Sequence, residues 1–242
     1  MIKLSASSIG TFEKCPKQYH YRYIDKPDIE KKDWSFLEFG KCAHRVLELF
    51  HEDLCNNVRE VSEYPEIMMI SFKEALTEYD MNILRPELPL LKEVIQDYLN
   101  KILDEGLPEV VHNELNFTMM IGDYTVRGFI DRIDRIGPGE YKVVDYKTNK
   151  NPKYLTPFQL ILYAIAIKEV FPDAEKISGA YVLLKHGSKL KEYEFTEKDF
   201  EDARNKILRV GNSIDTNTEW EKRPTRLCNW CDFQSICQNN WI

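Results

Sequence analysis

The sequence predicts an α/β (α+β) fold in which helices pack on a sheet, and three observations carry that prediction. Residues 109–147 are rich in β-branched and aromatic positions, punctuated by Gly122-Asp123 and Gly137-Pro138-Gly139. On either side, residues 34–55 and 154–171 repeat apolar side chains at helical spacing. Two further strand-like runs, Gly179–Lys185 and Lys191–Phe195, precede a last helix from about Glu197 to Asn212.

The chain of 242 residues is long enough for a substantial core, and its composition, 43% hydrophobic and 30% charged, is that of a globular protein. The longest apolar run, Leu160–Ile167, is too short to span a bilayer, and the polar start Met1–Gly10 lacks the architecture of a signal peptide, so a cytoplasmic protein without membrane contact is expected. In that compartment six cysteines point to metal ligands or buried thiols rather than disulfides. A net charge of -7 argues against a protein that merely coats nucleic acid. It leaves room for an acidic site whose charge metal ions invert.

Taken in order, Ser5 is placed to cap a first helix, and Pro16 suits the first turn of a second one carrying Tyr19, Tyr21, Arg22 and Tyr23. These aromatics, interleaved with Lys17, His20 and Lys26, fit stacking on a single nucleic-acid strand and fit core packing equally. Trp34–Cys55 reads as one long helix with Leu37, Val46, Leu47, Leu49 and Phe50 on its apolar side, and it carries Gly40-Lys-Cys-Ala-His44. Residues 56–106 read as amphipathic helices broken near Pro86 and Pro89, a helical insertion with no clustered chemical residues. Strands follow at Glu109–His112, Glu114–Met120 and Tyr124–Asp131, forming an antiparallel sheet with the hairpin below. In the helix from Tyr154 to Phe171, Phe158, Ile161, Leu162 and Ile165 take core spacing, while Gln159 and Tyr163 stand four apart on the neighbouring face, outward or into a site.

The hairpin is where the chemistry gathers. Asp145 and Lys147, two apart in a strand, share a face. A three-residue loop Gly137-Pro138-Gly139 pairs residues whose numbers sum to 276, which sets Asp131 opposite Asp145, Ile133 opposite Val143 and Asp134 opposite Lys142. Two carboxylates about 4 to 5 Å apart repel by about 3 to 4 kcal/mol at an effective dielectric near 20, so the pair calls for a hard cation between them. A one-residue slip would put one of the acids on the other face.

Cys228-Asn-Trp-Cys231 with Cys237 six positions later allows three thiolates to converge, and Cys15 can supply the fourth, tying both ends of the chain to one centre. Spacing admits structural zinc and an iron-sulfur cluster alike. Cys42 and Cys55 are most simply buried small hydrophobes.

Together, Ser5-Ala-Ser-Ser-Ile-Gly-Thr-Phe-Glu-Lys-Cys15-Pro, Gly40–His44, Gly128–Asp131, Asp145-Tyr-Lys147, Gln159–Tyr163 and the terminal cysteines resemble the RecB-like PD-(D/E)XK nucleases. The resemblance is to their iron-sulfur branch, with its CRISPR-associated exonucleases and AddB-type nuclease domains. It implies a restriction-endonuclease-like core, a central mixed sheet flanked by helices, in a single nuclease domain 1–242 with a helical insertion 56–106. Residues 1–26 and 222–242 would form an iron-sulfur module. By the same resemblance His44, Asp131, Asp145 and the Tyr146 carbonyl bind Mg2+ or Mn2+, and Lys147 orients or deprotonates the attacking water. Gln159 and Tyr163 contact DNA or support the site. Glu114 matches an acid that precedes these strands in many members. Cys15, Cys228, Cys231 and Cys237 hold a 4Fe-4S cluster. Asp145 departs from the glutamate frequent at that position, a shift of about one bond length that strand twist absorbs.

The expected function is a metal-dependent deoxyribonuclease, an exonuclease acting on single-stranded or duplex DNA ends, with a helicase, CRISPR or recombination protein as partner. The sequence has no GxxxxGK[ST] loop, so unwinding falls to that partner. Two rival readings are a non-catalytic DNA-binding module with a structural metal-cysteine site and a zinc-stabilised structural protein. An intact His44, Asp131, Asp145 and Lys147 set favours the enzyme.

Overall fold

A computed structural model describes residues 2–29 and 34–237; Met1 and residues 238–242 of the expected terminal module lie outside them. In chain order the elements are β1 (Lys3–Leu4), α1 (Ala6–Lys14), α2 (Pro16–Tyr19), α3 (Ser35–Asn56), α4 (Tyr64–Thr77), α5 (Met81–Leu84) and α6 (Leu88–Glu105). They continue as β2 (Glu109–Ile121), β3 (Tyr124–Gly137), β4 (Glu140–Lys147), α7 (Phe158–Val170), β5 (Lys176–Leu183), β6 (Lys189–Glu194), α8 (Glu197–Asp215) and α9 (Gln234–Cys237). They fall into two compact units, one of Asp33–Phe117 with Phe129–Glu197 and one of Met1–Lys32, Thr118–Gly128 and Lys198–Ile242. Among the described residues no helix is long and apolar enough to cross a membrane.

In the first unit the sheet is mixed: β3 and β4 are antiparallel, β4 and β5 parallel, β5 and β6 antiparallel. A parallel pair needs a long crossover, and α7 is that connection. Alternation then sorts the side chains onto two faces. Val144, Tyr146 and Val182 join one hydrophobic core with Phe39, Val46, Leu47 and Phe50 of α3, Met68 of α4, and Leu91, Val94 and Tyr98 of α6. Asp145, paired with Tyr181, and Val143, paired with Gly179, belong to the other face, where Leu160 of α7 packs so closely that a Cβ on Gly179 would lie 3.0 Å from its own. On that face α7 is buried on nearly every side, from Leu160 to Ile167, and has no polar face to present outward.

The hairpin keeps the expected register by a different construction. Ile133 faces Val143 and Asp134 faces Lys142, both summing to 276. The turn, however, holds only Pro138 and Gly139, with Gly137 paired to Glu140 and an irregularity between Arg135 and Gly137. A bulge residue added to a two-residue turn restores the parity a three-residue loop would have set. Gly139 takes φ +67, which its missing Cβ permits. Although they face each other, Asp134 and Lys142 are not drawn into an ion pair among the described residues: Asp134 binds Arg132, and Lys142 Nζ reaches Glu192 at 2.5 Å. The helix expected from Tyr154 begins at Phe158 instead, because Pro157 withholds its N–H and Pro152–Tyr154 form a separate 3-10 turn. Cys42 is buried as expected, but Cys55, near the end of α3, is exposed.

In the second unit a capping box opens α1, Ser8 N donating to Ser5 Oγ at 3.1 Å and Ser5 N to Ser8 Oγ at 2.8 Å. The aromatics after Pro16 are mostly committed to packing. Tyr19 is buried, stacks on Trp220 at an 11° interplanar angle and meets Phe12 edge-on, while Tyr21 lies against Phe233. Of the two sequence readings of this segment, packing therefore prevails. On α8, Gly211 lies against Tyr124 so tightly that a Cβ would fall 2.5 Å from the ring. Gly211→Ala should therefore destabilise the protein by about 1–3 kcal/mol, read as a lowered melting midpoint.

Candidate active site

Strand β4 ends on Asp145, Tyr146 and Lys147, candidate site residues from the sequence. Lys147 Nζ lies 2.6 Å from Asp145 Oδ2 and donates to Gln159 Oε1 at 2.9 Å. Gln159 spends both amide hydrogens nearby, on Asp145 Oδ1 at 2.8 Å and on the Tyr163 hydroxyl at 2.6 Å. The pair four apart on α7 thus points into the site, and one glutamine fixes acid, lysine and tyrosine together. Asp131, on the neighbouring strand, accepts the Tyr146 main-chain N–H at 2.7 Å. From the opposite layer, His44 of α3 brings Nδ1 to 3.3 Å from Asp131 Oδ2. Its ring meets Tyr146 edge-on, with centroids 5.8 Å apart.

Two acids and two cationic groups share this place, and the titration of Asp145 and His44 answers to burial and to their neighbours. Burial first, then the Asp131 charge, push Asp145 up to about 6, against the pull of Lys147 and His44. Burial would lower His44, but the charge and hydrogen bond of Asp131, with Asp145 adding, raise it to about 9. Glu114 is pushed up to about 7 by burial and then by the charges of Asp131 and Glu48. Its backbone is left-handed, at φ +53 inside β2, a conformation rare for a non-glycine residue. Asn113 steadies the kink, its Nδ2 donating to the Glu48 carbonyl at 2.9 Å. Carboxylate oxygens and, once its proton is released, an imidazole nitrogen are donors that suit a hard or borderline divalent ion, so the donor set fits Mg2+ or Mn2+.

Behind Tyr146 is a buried network that the sequence reading missed. Arg132 grips Asp134 side-on, Nη2 to Oδ2 at 2.9 Å and Nε to Oδ1 at 2.8 Å. Its Nη1 donates to Tyr98 OH at 2.5 Å and Tyr146 OH at 3.1 Å, and Tyr98 OH lies 2.6 Å from His51 Nε2. Burial raises the Asp134 carboxyl against the pull of Arg132, while the guanidinium, despite burial, is held firmly charged by Tyr146, Tyr98 and Asp134. One charge-assisted hydrogen bond with a second close charge contact favours the ion pair over its neutral form. Burial, with Arg132 nearby, keeps His51 well below its usual range and therefore neutral. The available signal was the spacing: Arg132 and Asp134 alternate with Asp131, which puts them on the face opposite the site.

At the termini, Cys15, Cys228, Cys231 and Cys237 line one cavity of about 100 Å3, with Lys14, Arg223 and Phe233 also on its wall. Main-chain and side-chain contacts hold its two halves together: Lys17 N donates to Glu221 O at 3.1 Å, Arg223 Nη1 to Glu13 O at 2.8 Å and Lys222 Nζ to Cys237 O at 2.7 Å. Burial raises the thiols of Cys231 and Cys237, and neighbouring cysteines push them further the same way. Four thiols on one wall fit a thiolate-bound metal centre, although among the described residues no three His, Cys, Asp or Glu side chains are drawn into ligand geometry.

Three comparisons bear on this arrangement. The chain is 26% identical over 218 residues to an ATP-dependent helicase/deoxyribonuclease subunit of Streptococcus pyogenes serotype M49, and 27% to that of serotype M3. These alignments cover 82% of this chain and 20% of each relative, so the chain spans about a fifth of the length of the curated relatives it matches. Its fold is similar to a crystal structure from Eubacterium rectale described as a candidate exonuclease, with a TM-score of 0.56 at 13% identity, covering 99% of this chain and 89% of that one. Residues 3–238 match the profile of the PD-(D/E)XK nuclease superfamily, and the chain belongs to that superfamily.

Proposed function

We propose that the chain is a metal-dependent deoxyribonuclease, an exonuclease acting on DNA ends or single strands. The observation that carries this reading is the convergence of His44, Asp131, Asp145 and Lys147 at the end of β4. His44, Asp131, Asp145 and the Tyr146 carbonyl would hold Mg2+ or Mn2+, and Glu114 would assist. Bound there, such an ion would polarise the scissile phosphate and lower the pKa of a water. Lys147 carries three N–H donors, gives one to Gln159 and stands in ion-pair contact with Asp145, so donor capacity is left for the attacking water or the phosphate. Gln159 holds that geometry, and Tyr163 holds Gln159. The test is a time course on end-labelled linear and circular single-stranded DNA with Mg2+, Mn2+ or chelator. Stepwise shortening of linear DNA with either metal, none with chelator and none on circles is expected. Binding without cleavage would favour the DNA-binding module instead.

The cysteine cavity supports a second part of the proposal, that Cys15, Cys228, Cys231 and Cys237 hold a structural 4Fe-4S cluster. Protein purified without oxygen should be brown and contain iron and acid-labile sulfide; a colourless protein with one zinc would replace the cluster by zinc. Cys15→Ser should lower the melting midpoint more than Cys42→Ser, since only Cys15 joins the two ends of the chain. The relatives' names support a helicase as partner.

A further inference from the structure

We propose that the loop between β4 and α7, residues 148–157, is a docking platform for a single strand of nucleic acid, with Tyr154 stacking on a base and Lys150, Lys153 and Lys185 holding phosphates. The proposal deepens the nuclease reading and rests on it for the identity of the polymer.

The first support is charge. The chain has 40 acids among 242 residues, about one in six, yet none falls between Asp145 and Glu169, where Lys147, Lys150, Lys153 and Lys168 lie. Lys150 and Lys153 have no ion-pair partner among the described residues. Lys185, seated 3.9 Å over the Phe39 ring, is lowered by burial and, more weakly, by the charge of Lys150, against the opposing charge of Glu87. A polyanion relieves the unshared positive charge of Lys150 and Lys153.

The second support is a main chain held firmly beneath outward side chains. Asn151 Oδ1 accepts Lys153 N at 3.0 Å, Lys191 Nζ donates to the Leu155 carbonyl at 2.9 Å, Tyr181 OH to the Thr156 carbonyl at 2.8 Å, and His186 Nε2 lies 3.2 Å from the Asn149 carbonyl. Tyr154, by contrast, is 77% exposed and its hydroxyl has no partner among the described residues. A large aromatic presented on an anchored turn loses little freedom when a base stacks on it. Duplex bases are already stacked on one another, so an unpaired strand fits better.

The third support is position. The loop begins at the residue after Lys147, and Tyr154 is seven residues from it, so chain length alone keeps the two within about 25 Å. A strand whose scissile phosphate sits at Lys147 can therefore reach Tyr154 within the roughly 4–16 nucleotides of an ordinary single-strand site.

The experiment is fluorescence anisotropy of labelled oligothymidylate and of a blunt duplex of equal length, with Ca2+ in place of the catalytic ion, together with cleavage kinetics. Tyr154→Ala should weaken oligothymidylate binding about tenfold, Tyr154→Phe less than about twofold, and duplex binding should stay unchanged. Lys150→Gln with Lys153→Gln should reduce the slope of log affinity against log salt by about 1.4, and kcat at saturating DNA should hold in every variant. Binding by Tyr154→Ala within about twofold of wild type overturns the platform, and equal losses on duplex overturn its single-strand preference. Wild-type binding without any cleavage would instead count against the nuclease reading and leave the platform standing.

Discussion

Asp145→Ala is expected to lower metal-dependent DNA cleavage by at least about 10³-fold while leaving the melting midpoint close to wild type. The loss is large because Asp145 is both a proposed metal ligand and the group that holds Lys147, 2.6 Å away, in place. The stability effect is small because two changes oppose each other. Removing the carboxylate relieves its repulsion with Asp131, which together with burial raises Asp145 to about 6, but it deprives Lys147 and Gln159 of a partner. Lys147→Gln should lose comparable activity without losing the metal, since the proposed ligands remain. A time course on end-labelled DNA and a thermal melt of the same samples decide the matter. Asp145→Ala activity within about tenfold of wild type would sink the assignment.

Arg132→Met is expected to destabilise the protein by about 3–5 kcal/mol, a midpoint lower by about 10 °C or more. The Arg132–Asp134 pair is buried, with 6% and 2% of the two residues exposed, so removing the guanidinium strands an uncompensated carboxylate. Two tyrosine hydroxyls, of Tyr98 and Tyr146, lose a donor at the same time. Arg132→Met combined with Asp134→Leu should recover most of the loss, because replacing both partners with apolar groups leaves no charge buried alone. A double variant as unstable as the single one would show that the arginine acts by packing rather than by charge. The effect should also reach catalysis, since Tyr146 lies between the network and the main-chain N–H that Asp131 accepts.

Local pattern carried much of the architecture. Apolar spacing placed α3 nearly to the residue, and the β-branched run placed β4, because burying one face of such a segment is the only arrangement its side chains allow. Asp145 and Lys147 share a face through the two-residue period of any strand, and Gln159 and Tyr163 share one through the helical turn, so these neighbours were legible before any packing was known. The relation of Asp131 to Asp145 was a matter of register. Its parity could be reasoned out from the turn, but the bulge between Arg135 and Gly137 that supplies it could not, since no residue there announces one.

The linear order of residues therefore set the chemical groups and their local periodicity: three acids, a histidine, a lysine and a glutamine on named faces of named elements, and cysteines spaced to converge. Which faces meet, and how much water is left between them, came from packing alone. The Arg132–Asp134–Tyr98–Tyr146 network joins residues up to 48 positions apart, and the left-handed Glu114 turns on an asparagine bound to a carbonyl 65 positions away. The raised Asp145 and Glu114 likewise follow from burial and from charges on other elements, and the raised His44 from such charges against its burial. Desolvation and Coulomb energies depend on distances through space, and a linear sequence specifies those only after the chain has folded.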